Sequence, residues 1–167
     1  MMPRWIDRTA WALALAGAAA ALLVGLMTTA SVAGRALFKA PIPGDVELTQ
    51  LGIALAISLC LPWCQLRGAN IIVDFFTQGA AQKTQRRLDA FGAALMALTY
   101  GLLAWRTSVG ALAVRQAHEQ SMILELPMWW AYASLAPGLA LAGAVALWQA
   151  RAAWQGRAID HAARGPA

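Results

Sequence analysis

Charge is what this chain has least of. No Asp, Glu, Lys or Arg interrupts Thr9 to Gly34, Leu48 to Leu66, Ala90 to Trp105 or Leu126 to Ala150. With 13% charged and 60% hydrophobic residues, too little polar surface remains to coat a soluble domain of 167 residues. The net charge of +5 does not point to nucleic acid, because the basic residues are spread through the gaps between apolar runs instead of forming one patch. Histidine and cysteine are equally scarce. His118 and His161 both lie outside the apolar runs, which excludes a bis-histidine haem held between helices of this chain. Cys60 and Cys64 have no second CxxC or histidine cluster to complete a metal site and read as buried thiols. Nor does any run carry a carboxylate or histidine at membrane depth, where an ion-coupled transporter or proton pump needs one. No nucleophile, base and orienting group can be assembled at one depth either. The chain is therefore expected to be no enzyme, with no catalytic residue, cofactor or metal.

What is present fits a bilayer. A hydrocarbon core about 30 Å thick is crossed by roughly 20 apolar residues at about 1.5 Å each. The runs predict an all-α integral membrane domain over 1–167, with spans at about 10–34, 46–66, 89–117 and 126–150. The third passes through Arg106 and Arg115, whose long side chains can snorkel to the interface from a tilted helix. Arg4 and Arg8 before an Ala-rich run could suggest a secretory signal, but the run continues through Leu22, Leu23, Val24, Leu26 and Met27, past the length of a signal core. Nine Lys and Arg fall on one predicted side: Arg4, Arg8, Arg67, Lys83, Arg86, Arg87, Arg151, Arg157 and Arg164. Four fall on the other: Arg35, Lys39, Arg106 and Arg115. Both termini are thus expected in the cytoplasm. Tryptophans agree, with Trp11, Trp63 and Trp148 at inner ends and Trp105, Trp129 and Trp130 at outer ends.

Small residues recur at helical spacing: Gly17, Ala21 and Gly25 in the first span, Ala93, Ala97 and Gly101 in the third, Gly138, Ala142 and Ala146 in the fourth. Such stripes let helix backbones approach closely where lipid removes the hydrophobic drive. The hydroxyls of Thr28, Thr29, Ser31, Ser58, Thr99 and Ser134 are expected to bond to the preceding turn or across a helix pair. Pro43-Gly44-Asp45 precedes the second span, so Asp45 and Glu47 are expected to cap that helix and complement its dipole. Between the second and third spans, Ile71, Ile72, Phe75 and Phe76 recur at helical spacing, with Lys83, Arg86 and Arg87 following. This predicts an interfacial helix over about 70–87 on the cytoplasmic face, in contact with membrane lipid.

Specific residues then carry a resemblance. Arg35, Phe38, Pro41-Ile-Pro-Gly-Asp-Val-Glu-Leu48, Gln65-Leu-Arg-Gly68 and Ile72-Val-Asp74 resemble the small membrane subunit, DctQ-like, of tripartite ATP-independent periplasmic (TRAP) transporters. Ser121, Leu124, Leu126-Pro-Met-Trp129, Tyr132 and Pro137-Gly138 resemble that family's outer loop and last helix. Asn70 departs from it, standing where many relatives have histidine. The resemblance implies a bacterial inner-membrane stator, bracing a large elevator-type subunit that carries the substrate and sodium sites. It also implies a periplasmic binding protein that delivers a small organic anion. The outer loops would then receive that binding protein through Arg35, Lys39 and Arg115. Two other classes ask for residues of a different kind: a stand-alone four-span exporter needs an acid in its first span, and a redox-complex anchor needs axial histidines or a quinone site.

Overall fold

The computed structural model describes residues 4–68 and 82–155, and within them the chain forms four α-helices. These are α1 (Arg4–Phe38), α2 (Asp45–Arg67), α3 (Gln82–Gln116) and α4 (Trp129–Trp154). All four are long and apolar enough to cross a membrane. At about 1.5 Å per residue the 35-residue α1 and α3 are each about 52 Å long, well beyond a hydrocarbon core of about 30 Å. They must tilt or project into the interfaces.

The helix ends follow local chemistry. Asp7 in the first turn and Arg35 in the last complement the dipole of α1, which continues past 34 to Phe38 because nothing before Pro41 breaks it. Gly68, at φ 65°, closes α2 with its N–H on the carbonyls of Cys64 and Gln65, a left-handed position suited to glycine. The end of α3 is a Schellman motif: Glu119 N–H reaches Val114 O at 3.3 Å and His118 N–H reaches Arg115 O at 3.3 Å. His118 takes the left-handed conformation there, at φ 52°.

Two boundaries differ from the sequence reading. The fourth helix starts at Trp129 and not near 126, because Pro127 forms an isolated bridge with Gln120 and holds Leu126 to Met128 in the loop. The expected interfacial helix over 70–87 is not seen as a separate element in its described part. Lys83, Arg86 and Arg87 fall in α3, since Gln82 to Ala90 contains only residues compatible with a helix and no Gly or Pro to end one. The remainder of that expected element, with Ile72, Phe75 and Phe76, lies outside the described residues.

In space the helices lie in the order α1, α2, α4, α3, each packed on the next. The central pair is α2 and α4. A third of α4's most apolar window is buried within the chain, 33%, against 11% for α1. Gly138, Ala142 and Ala146, one of the small-residue stripes, are all buried on α4. A Cβ at Gly138 would overlap the backbone oxygen of Ser58 on α2. That carbonyl has no intrahelical donor, because its partner position four residues on is Pro62. The Ser58 hydroxyl crosses the same contact and donates to Leu135 O at 2.8 Å. Next to this contact Leu139, Ala142 and Ala146 cluster with Tyr100 of α3, with Leu61 of α2 and Ala97 and Ala104 of α3 packed against them.

The stripe on α1 is used differently. Gly17 is buried against the Ala56 carbonyl and Cys60 of α2, but Ala21 and Gly25 are exposed, and a Cβ at Gly25 would meet nothing within 4 Å. Further out, Val24 lies over Gly52 and the hydroxyls of Thr28 and Thr49 meet at 3.2 Å. On α3, Gly101 likewise faces open space. Leu15, Leu22, Leu23 and Leu26 on α1 and Leu95, Leu98, Leu102 and Trp105 on α3 are exposed, so the flanks present continuous apolar faces.

Candidate functional site

Polar groups concentrate at the two ends of the bundle. At one end, the helix pairs α1–α2 and α3–α4 each close in a loop, and the loops are tied together by the two carboxylates at the start of α2. Gly44 holds the N-cap position at φ 71° and, having no side chain, leaves the first-turn N–H groups to other acceptors. Asp45 instead occupies the first turn and bridges back to α1. Its Oδ2 accepts from the Ser31 hydroxyl at 2.6 Å and from Arg35 Nη2 at 3.3 Å, while Oδ1 accepts from Val46 N–H at 2.8 Å. Ser31 is fully buried, and its oxygen also accepts from Ile42 N–H at 3.2 Å, which fastens the turn between α1 and α2.

Glu47 reaches the other way. Its carboxylate accepts the Ile123 N–H at 2.9 Å and the Leu124 N–H at 3.1 Å. Leu124 itself lies against Gly44, where a Cβ would overlap its side chain. The loop is further fixed by Leu126 N–H on the Ser121 hydroxyl at 3.1 Å and by Ser121 N–H on Leu126 O at 2.9 Å. Thus Pro41 to Leu48 and Ser121 to Trp129, two separate segments of the resemblance, meet in one assembly. Two carboxylates placed two residues apart serve different partners, one on each side of α2.

The three cations singled out from the sequence do not converge. Arg35 sits in the last turn of α1 and is paired with Asp45. Lys39 follows it in a left-handed conformation at φ 53°, exposed. Arg115 is on the opposite flank, in the last turn of α3, with its guanidinium 5.3 Å from the Trp129 ring centroid. A groove of about 610 Å³ opens beside it, lined by Leu112, His118, Glu119, Pro127 and Trp129 among others.

The opposite end of the bundle holds a pair that the sequence reading overlooked. Gln65 Nε2 donates to Gln149 Oε1 at 2.6 Å, and Gln149 Nε2 donates to the Gln65 carbonyl at 2.9 Å. Both are buried, at 5% and 3% exposure. The available signal was Gln149 itself, an amide within an otherwise apolar run, which calls for a partner on a neighbouring helix. Beside the pair, Ala10, Leu66 and Val145 form a cluster with Ile6, Trp63 and Trp148, and Arg67 lies 4.3 Å over Trp63. The segment Gln65-Leu-Arg-Gly68 therefore supplies an interhelical amide, a cluster residue, an arginine over an indole and a helix stop.

Chemically, the buried side-chain polar groups described here are neutral and hydrogen-bonded, and the carboxylates accept backbone and hydroxyl donors. No group of three His, Cys, Asp or Glu that could hold a metal is found among the described residues. The arrangement joins helices and loops.

A family model described as "Tripartite ATP-independent periplasmic transporters, DctQ component" matches residues 24–156. No curated protein and no solved structure matches the chain. The match begins inside α1, at Val24, and takes in both tied loops, the Ser58–Gly138 crossing and the Gln65–Gln149 pair. With four helices long enough to span a membrane and a match over most of its length, the chain belongs to the DctQ family, the small component of tripartite ATP-independent periplasmic transporters.

Proposed function

We propose that the chain is the stator of its transporter, bracing a large elevator-type membrane subunit in the bacterial inner membrane. The large subunit would carry sodium-coupled uptake of a small organic anion delivered by a periplasmic binding protein. The observation that carries this reading is the family match, and the distribution of polar groups supports it. A stator needs rigid helices and apolar faces for a partner. Here the buried polar side chains are used up in contacts within the chain, and the charge-free faces of α1 and α3 stay open. Reconstitution into liposomes tests it. Ion-gradient-driven uptake is expected only with the large subunit and binding protein both present, and uptake by this chain alone would overturn the reading.

Both termini lie in the cytoplasm on this proposal, from the nine-to-four distribution of Lys and Arg. Arg35, Lys39 and Arg115 then face the binding protein, and Lys83, Arg86 and Arg87 face the anionic inner leaflet at roughly 1 kcal/mol each. Single cysteines at Ala40 and Gln120 are expected to react with a membrane-impermeant thiol reagent from the periplasmic side. Charge reversal at Lys39 or Arg115 is expected to lower uptake more at higher salt, as weakened electrostatic docking requires.

A further inference from the structure

The loop between α3 and α4 carries an apolar tip that none of the described residues covers. Met122 is 96% exposed and Ile123 is 61% exposed. Such a tip on a polar loop would ordinarily fold inward, but here the backbone on its far side is held. Glu47 takes the N–H groups of Ile123 and Leu124, and Leu124 is seated on Gly44. Because Glu47 belongs to the first turn of α2, these bonds draw the tip down to the level at which that helix begins. Val46, at 59% exposure, and Trp130, at 53%, present apolar surface from the first turns of α2 and α4. Trp129 and Trp130 pack edge to face there, 6.2 Å apart, in the amphipathic ring chemistry that favours the membrane–water boundary.

We infer that Met122 and Ile123 are a lipid anchor, inserted among the lipid headgroups at this end of the bundle, and that Glu47 is the positioning residue that holds them there. The occupant is membrane lipid and not a protein partner, because the tip is placed at the level of the spans' first turns, with the exposed apolar Val46 and Trp130 at the same level, and the carboxylate beside it, Glu47, is occupied by the backbone N–H groups of Ile123 and Leu124. Insertion of this kind would fix the tilt of α4 and α3 against the bilayer, since their connecting loop would be held at two points: lipid at Met122 and α2 at Glu47.

An environment-sensitive fluorophore on Met122→Cys, in a Cys60→Ser, Cys64→Ser background of the full chain in phospholipid vesicles, tests this. Gln120→Cys is the aqueous reference. The probe at 122 is expected to show blue-shifted emission, quenching by lipids bearing a shallow nitroxide, and little quenching by iodide, with the reverse at 120. Adding Glu47→Ala is expected to reduce the nitroxide quenching at 122, and no change would overturn the positioning role. An emission at 122 that matches 120, or a blue shift that arises only once the large subunit or binding protein is added, would overturn the anchor. A second readout needs no labelled variant. A bulky water-soluble oxidant is expected to convert Met122 to its sulfoxide more slowly in vesicles than in denaturant-unfolded protein, and equal rates would overturn the anchor. None of these outcomes depends on transport, so the anchor stands or falls separately from the stator reading.

Discussion

The central helices α2 and α4 and the flanking helices α1 and α3 are made of similar residues and do opposite things with them. Gly138 on α4 and Gly25 on α1 both belong to stripes of small residues at four-residue spacing. Gly138 lies against a backbone carbonyl of α2 with no space for a methyl group, while Gly25 has open space around it. In a bilayer the lipid tails are as apolar as leucine, so a helix gains by packing closely and by making hydrogen bonds that lipid cannot offer. The centre has both, through the Ser58–Leu135 bond and the paired glutamines. The flanks have the same small stripes, but among the described residues Ala21 and Gly25 on α1 and Gly101 on α3 are exposed.

The largest effect is expected at the centre. Gly138→Leu would drive its side chain into the Ser58 backbone, which cannot rotate away as a flexible side chain could. Overpacking of this kind costs roughly 1–3 kcal/mol. Thermal unfolding in detergent, followed by size-exclusion chromatography, is expected to show a lowered midpoint and loss of the monodisperse species. Retention of wild-type stability would mean that α2 and α4 are not in the close register described.

Much of this architecture was readable in advance because charge is so unevenly distributed. The absence of ionisable residues marked four spans, and four helices long and apolar enough to cross a membrane are present among the described residues. Helix ends were less legible. Arg35 looked like a loop residue because it is charged, but a charge does not stop a helix, and α1 runs on to Phe38. The carboxylates were the least legible of all. Asp45 and Glu47 were expected to serve their own helix, where local pattern places them. Asp45 does take the Val46 N–H of its own first turn, but the further partners are Ser31, fourteen residues back from Asp45, and Ile123 and Leu124, more than seventy residues on from Glu47. Periodicity shows which face a residue occupies, but not which distant loop comes to rest beside it.

A smaller effect is expected from the buried amides. Gln149→Leu removes the acceptor of Gln65 Nε2 and the donor to the Gln65 carbonyl. Interhelical hydrogen bonds in membranes contribute about 0.6 kcal/mol on average and up to about 1.7 kcal/mol. The single variant is expected to lower the unfolding midpoint modestly, and Gln65→Leu combined with Gln149→Leu to recover part of the loss, because the two amides bond to each other and are then removed together. Strict additivity of the two losses would show that the glutamines act independently and that α2 and α4 are joined by packing alone.

The smallest effect on the isolated chain sharpens the comparison most. Gly25→Leu places a large side chain where α1 has open space, and glycine is less favourable in a helix than alanine by roughly 0.8–1 kcal/mol, with leucine ranked just below alanine. The unfolding midpoint of the chain by itself is therefore expected to stay level or rise slightly, in contrast with Gly138→Leu. The two variants differ again once the large subunit is present. If the exposed part of the α1 stripe, Ala21 and Gly25, is a seat for a partner helix, Gly25→Leu fills that seat, and copurification of the large subunit should fall although the chain itself is as stable as before. If α1 meets only lipid along this face, acyl chains adapt to the added side chain and the yield of complex is unchanged. Stability and assembly thus separate at Gly25 and cannot separate at Gly138, where the partner is the chain's own α2.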